Sequence, residues 1–287
     1  MIGFLLALLV AILWGVGEVA YSRVSKNYNK SSVYFYTYHV RTIIYLGVVL
    51  LFQRSLFGTF HWNIFTQTLP VILCDLFASL IIHIAISNGK LTVTSPIMAA
   101  YPILDVILGV WLLKEKISTG QIVIISLICI SIIVLASSQQ KSNRAPHPIK
   151  GIIFACVYMV LVAISTFFEK NIYVSHFGVY DLYYYKGLVY AFASIYFILR
   201  GFITSTHVKK PNAVILKGCG ITPIGNIVYS FALSMGSLSI VAPISSLYTV
   251  FTNIISRIYL KEKISWIEKI CIYTIVISTI VLITLYM

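Results

Sequence analysis

Glu18 follows Trp14 by four residues inside an apolar run, so a carboxylate and an indole share one helix face. That pair suits an organic cation, attracted by the charge and the ring quadrupole together. An ionisable group inside an apolar span costs about 2.5 to 3.5 kcal/mol on insertion scales, which makes each one a candidate for a solute pathway. Such a carboxylate can take either a proton or a cationic solute, so the two could compete for it. Ser245, Thr249, Thr252 and Ser256 recur at steps of four, three and four and form a polar stripe on an otherwise apolar helix. The stripe is expected to face water or substrate, although hydrogen bonding between helices by small hydroxyls competes with that reading. Tyr34, Tyr38, Arg41 and Tyr45 fall on one face, and Asp181, Tyr184 or Tyr185, and Lys186 lie close together further on. For Arg41, a structural pairing with Asp75 or Asp181 competes with a pathway role, and many of the 20 tyrosines belong to interfacial belts.

Other chemistry finds no support. His39, His83 and Asp75 lack a metal-ligand spacing, and there is no Gly-rich phosphate loop or nucleophile elbow. Cys74, Cys129, Cys156, Cys219 and Cys271 each stand alone in an apolar span, which suits packing better than redox work. Neither catalysis, a metal nor a cofactor is expected. The net charge of +13 invites a nucleic-acid partner, but the Lys and Arg residues are scattered over short polar breaks with no soluble basic face.

The elements that must position these groups are membrane helices. Of 287 residues, 59% are hydrophobic and 10% charged, with a mean hydropathy of +0.94, far too apolar for a water-exposed surface. About 20 apolar residues cross the hydrocarbon core, and ten such windows begin at Ile2, Val33, Thr66, Leu91, Thr119, Ile149, Val179, Ala213, Leu238 and Trp266. Runs such as 122–136 are apolar on every face, whereas barrel strands would be shorter and alternate. No positive charge precedes the first window and no convincing cleavage site follows it, so a retained helix is expected.

An internal repeat organises the windows. With a shift of 147, Ala85, Ser87, Gly89, Leu91, Pro96, Ile97 and Tyr101 pair with Ala232, Ser234, Gly236, Leu238, Pro243, Ile244 and Tyr248. The hexapeptide 113–118, containing Glu115, then pairs with 260–265, containing Glu262. Aligned glycines, prolines, tyrosines and charges are not interchangeable with generic apolar residues, so duplication explains them better than chance. The same shift pairs Asp105 with Thr252, which puts Asp105 on the cavity side near the stripe. A weaker echo relates Tyr38 and Arg41 to Tyr183 and Lys186 at a shift of 145. Five spans per half is an odd number, so the second half would enter the membrane inverted.

These residues also carry a resemblance. Residues 11–15, Arg41, and the two junctions running through Pro96 to Glu115 and through Pro243 to Glu262 resemble the ten-helix EamA-type branch of the drug/metabolite transporter superfamily. Glu18, in a similar place in the first helix, also resembles the glutamate with which the small multidrug resistance branch exchanges protons for cationic substrate. The resemblance covers essentially the whole chain and implies an all-α integral membrane protein. Ten transmembrane helices would form two inverted five-helix repeats, residues 1–140 and 149–287, around a central cavity, with helices 5 and 10 peripheral. It implies no particular cargo, since the family serves amino acids, nucleotide sugars, sugar phosphates, amines and drugs.

The combined reading is a secondary transporter in a bacterial inner membrane that moves a small amine, amino-acid-like or other metabolite, possible coupling being to protons, as a monomer or weak homodimer. Substrate contacts are expected from Trp14, Glu18, Tyr38, Tyr101, Asp105, Asp181, Tyr184, Lys186, Ser245, Tyr248, Thr249 and Thr252. Structural or coupling roles are expected from Arg41, Asp75, Pro96, Pro243, Glu115 and Glu262. Exchange of phosphorylated or carboxylated anions through Arg41, Lys186 and Arg257 stands as an alternative, as does a non-pumping role in lipid or glycolipid handling. Loop cations crowd the breaks after odd-numbered windows, which puts both termini outside by the positive-inside rule, while the resemblance implies cytoplasmic termini.

Overall fold

The computed structural model describes residues 2–57, 60–89, 91–138, 147–174, 178–203, 212–260 and 266–286. Twelve α-helices and one short 3-10 turn account for the secondary structure of those residues. The helices are α1 (Ile2–Asn27), α2 (Lys30–Phe52), α3 (Trp62–Asn88), α4 (Leu91–Met98), α5 (Pro102–Trp111), α6 (Thr119–Ser138), α7 (Pro148–Val174), α8 (Val179–Ile203), α9 (Ala213–Met235), α10 (Leu238–Ser245), α11 (Tyr248–Leu260) and α12 (Trp266–Tyr286). Seven stretches among them are long and apolar enough to cross a bilayer: α1, α2, α3, most of α7 and α8, α9, and Leu238–Ser256.

The fourth and ninth apolar windows are each broken. Pro102 has no N–H to continue the ladder from α4, so it opens α5 at its first turn instead. In the ninth window Ser245 Oγ donates to the Val241 carbonyl at 2.5 Å and Ser246 Oγ to the Pro243 carbonyl at 2.6 Å. Such back-bonding competes with helix propagation, and α11 restarts at Tyr248. The expected stripe therefore does not run along one continuous helix.

The main packing pairs join the two ends of the sequence: α1 against α9, α3 against α7, α2 against α8 and α6 against α12. Under the 147-residue shift α1 corresponds to α7 and α3 to α9, so the first of these pairings maps onto the second. Both run antiparallel. Asn212 Nδ2, just before α9, donates to Tyr28 OH at the end of α1 at 2.6 Å, while the start of α1 at Gly3 abuts Ala232 and Met235. Likewise His147 N, before α7, donates to the Asn88 carbonyl at the end of α3 at 3.2 Å.

Small residues allow these approaches. A Cβ on Gly218 would lie 2.5 Å from Val24 Cγ2, and one on Gly151 would lie 2.5 Å from Gly89 Cα, so α3 and α7 meet backbone to backbone. Away from these seams the surface is greasy, as lipid demands. Trp62, Trp111 and Trp266 are 68%, 72% and 76% exposed, whereas Trp14 turns inward.

Candidate functional site

α1, α2, α3, α7, α8 and α9, with the helix breaks beside Tyr101 and Tyr248, enclose a central cavity of about 110 Å³. A buried water needs about 10 to 15 Å³ of such space, so the cavity suits a solute of roughly ten non-hydrogen atoms. Glu18 projects into it from α1. Its Oε2 accepts from Ser95 Oγ of α4 at 2.5 Å and from Thr252 Oγ1 of α11 at 2.8 Å. No ion pair reaches it among the described residues.

Aromatic rings stand beside this carboxylate. Trp14 lies 5.0 Å from Tyr229 and 5.9 Å, edge-on, from Tyr248, and Tyr101 and Tyr158 complete the wall. The indole is fixed by its Nε1–H, which donates to Asn226 Oδ1 at 2.9 Å, while Asn226 Nδ2 donates to Tyr45 OH at 3.1 Å. Each ring offers a face or an OH without adding charge, which is what a desolvated ammonium group requires beside one carboxylate.

A second polar group lines the same cavity. Lys186 Nζ on α8 lies 2.6 Å from Asp75 Oδ2 of α3 and 3.5 Å from Glu169 Oε2 of α7. Ser165 Oγ donates to Asp75 Oδ1 at 2.7 Å, and Ser230 Oγ hydrogen-bonds Glu169 and lies 2.7 Å from Tyr183 OH. Asp75 thus pairs with Lys186, and neither partner expected for Arg41 forms an ion pair with it. Arg41 instead hydrogen-bonds Ser79 Oγ through Nη1 and stacks 5.8 Å over Tyr190; its buried Nε has no partner among the described residues.

Several expected contacts lie elsewhere. Asp181 Oδ2 accepts from Gly178 N at 2.9 Å, capping α8. Tyr184 packs on Phe57 and Tyr185, and Tyr38 donates from its OH to the Leu76 carbonyl at 2.9 Å within an aromatic cluster. Ser245 and Thr249 are buried off the cavity, and Thr249 Oγ1 has no partner among the described residues. Asp105 is fully buried one layer behind the wall, its Oδ1 2.6 Å from Thr166 Oγ1.

Glu115 lies in the turn that Lys114 opens with a positive φ of 57°. Its carboxylate accepts from Leu238 N at 2.7 Å, from Ser239 N at 2.9 Å and from Ser239 Oγ, capping α10. Lys170 Nζ satisfies the adjoining end of α9 by donating to the Leu233 and Gly236 carbonyls at 2.8 and 2.7 Å. Pro243 is buried inside α10. Pro96 belongs to α4, its side chain lying outside what is described, and Glu262 lies outside the described residues.

Sequence reasoning passed over Glu169, Ser165, Thr166, Asn226, Tyr158 and Tyr229. The signal for Glu169 was its position inside an apolar window, masked by the adjacent Lys170, which reads as the start of a loop. No group of three His, Cys, Asp or Glu among the described residues could hold a metal.

The sequence model of the EamA-like transporter family matches residues 1–137 and, a second time, 149–284. The chain belongs to the EamA-like transporter family. This EamA-like protein is thus a multi-pass membrane transporter of the drug/metabolite type. Its fold recurs among 29 solved chains. One crystal structure of another protein, 14% identical, superposes with a TM-score of 0.75 over 99% of this chain and 98% of that one. Curated protein sequences yield no match.

Proposed function

We propose that this EamA-like protein is a secondary transporter for a small cationic or zwitterionic amine or amino-acid-like solute, whose ammonium group binds at Glu18 in exchange for a proton. The observation that carries this reading is a cavity carboxylate served by two hydroxyls and by no ion pair among the described residues. Charge points the same way: Glu18, Asp75 and Glu169 against Arg41 and Lys186 leave the described lining one negative charge in excess when all are ionised. A zwitterion would set its carboxylate toward Arg41. The anion alternative has less support, because Lys186 is already held between two carboxylates.

The same reading takes the chain as ten spans in two inverted halves, residues 1–140 and 149–287. Chain direction supports the inversion. α1 and α3, separated by one antiparallel helix, run the same way, whereas α9, the counterpart of α3, runs against α1. Inverted repeats around a mid-membrane site are an arrangement suited to alternating access.

Thermal unfolding of the purified protein and of Glu18→Gln tests the function with ethanolamine, putrescine, glycine and glycerol 3-phosphate. A ligand of the native state raises the melting temperature. An amine or amino acid should do so in the wild type and not in Glu18→Gln. A rise with glycerol 3-phosphate alone, retained in Glu18→Gln, would favour the anion alternative.

A further inference from the structure

Asp105 and Glu18 are both buried acids bonded to hydroxyls across helix seams, but their surroundings differ in kind. Glu18 opens on the cavity; Asp105 does not. From α7, Thr166 Oγ1 meets Asp105 Oδ1 at 2.6 Å, while the same hydroxyl lies 3.0 Å from the Val162 and Ala163 carbonyls. A hydroxyl has one proton to give and two lone pairs with which to accept. Asp105 Oδ2 is buried with no partner among the described residues. An ionised carboxylate with an orphaned oxygen in a dry site is far more costly than a neutral acid.

Among the described residues, the groups facing Asp105 bring no compensating positive charge. Tyr101 precedes it, Glu115 follows α5, and Tyr229 faces it from α9. Along α7, Glu169 and Lys170 are already engaged with Lys186 and with the end of α9. The α10 segment has no titratable side chain, and Cys129 is the single one on α6. A polar track nonetheless leads away from the site. One turn on, a Cβ at Gly109 would lie 2.7 Å from Glu115 Oε2, beside Ser239 Oγ. Thr166, Tyr101 and Tyr229 lead from Asp105 to the cavity.

We propose that Asp105 is a second proton-binding site, separate from Glu18, where solute and proton exchange: its carboxyl is neutral in this conformation, donates to Thr166, and lets Thr166 donate onward to the α7 backbone. Cargo cannot reach it, whereas a proton can. This arrangement rests on the proposed function only in placing solute exchange at Glu18; the second proton site stands on the Asp105 geometry itself.

Infrared spectra of the full chain in lipid nanodiscs test it. The wild type should show a neutral-acid carbonyl stretch that shifts in deuterium oxide, disappears in Asp105→Asn and persists in Glu18→Gln. Asp105→Asn should melt within a few degrees of the wild type, since an amide imitates the protonated acid. A spectrum in which Asp105→Asn removes no such band at acidic pH overturns the proposal. So does an Asp105→Asn melting temperature lowered as far as that of Lys186→Met, which would mean a charged, paired aspartate. If the band behaves as expected but Glu18→Gln leaves every ligand-induced melting shift intact, the solute reading fails alone.

Discussion

Thr252 Oγ1 donates to Glu18 Oε2 at 2.8 Å, tying α11 in the second family match to α1 in the first. Ser95 Oγ of α4 reaches the same oxygen at 2.5 Å, so one carboxylate atom joins three helices. Interhelical hydrogen bonds in membranes are worth about 0.6 to 2 kcal/mol each. Ser95→Ala or Thr252→Val alone should therefore lower the melting temperature by a few degrees, because the remaining hydroxyl still serves the oxygen. The double variant leaves it orphaned and should lose more than the sum, a coupling that a double-mutant cycle reads directly.

Lys186 offers a sharper contrast. Lys186→Met strands Asp75 and Glu169 without their cation, and breaking a buried pair costs about 3 to 5 kcal/mol. Since Asp75 is 21% exposed and partly solvated, the lower figure applies, roughly 6 to 12 °C in melting temperature. Combining Lys186→Met with Asp75→Asn and Glu169→Gln should recover most of that loss. No recovery in the triple variant would mean that Lys186 contributes mainly through packing.

Glu115 clamps α10 from a turn some 120 residues earlier in the chain. Glu115→Ala removes the acceptor for two backbone amides, a loss of about 1 to 2 kcal/mol by analogy with helix caps. Hydrogen exchange should accelerate at Leu238 and Ser239 while the cavity-facing part of α1 keeps its protection. Uniform acceleration across the protein would instead indicate a global loss of stability.

Gly225 holds the indole in place by leaving it room. A Cβ there would fall 2.6 Å from Trp14 Cδ1 and 2.8 Å from Nε1, so Gly225→Ala must push the ring off its Asn226 partner. The variant should fold, and the ligand affinity read from melting shifts should fall about tenfold, equivalent to roughly 1.4 kcal/mol. Asn226→Ala, which frees the indole without displacing it, should have a smaller effect.

The helices were legible because lipid favours long, mostly apolar crossing segments; ten windows were expected on that rule, and seven stretches of the described residues are long and apolar enough to cross. The breaks in the fourth and ninth windows were not legible. Pro102 marks the first only once its place as the opening residue of α5 is known, and the second comes from serine hydroxyls bonding backwards. Within the cavity, Trp14, Glu18, Arg41, Asp75 and Lys186 stood out as polar or aromatic residues in apolar surroundings. Asp181, Tyr184 and Tyr38 carried the same signal yet serve a cap and an aromatic cluster. Residue type indicates that a partner is needed; the neighbouring helices decide which partner is met. Asn226 and Ser165 lacked even that signal, being neutral side chains of the kind that any helix seam can hold.

The inward turn of a single tryptophan gives the protein an optical probe of its own. Of four indoles, the three at positions 62, 111 and 266 stand on the outer surface. Brominated phospholipids should darken those three and spare Trp14, so the emission that survives would report solely on the chamber's interior, with no dye attached and no residue replaced.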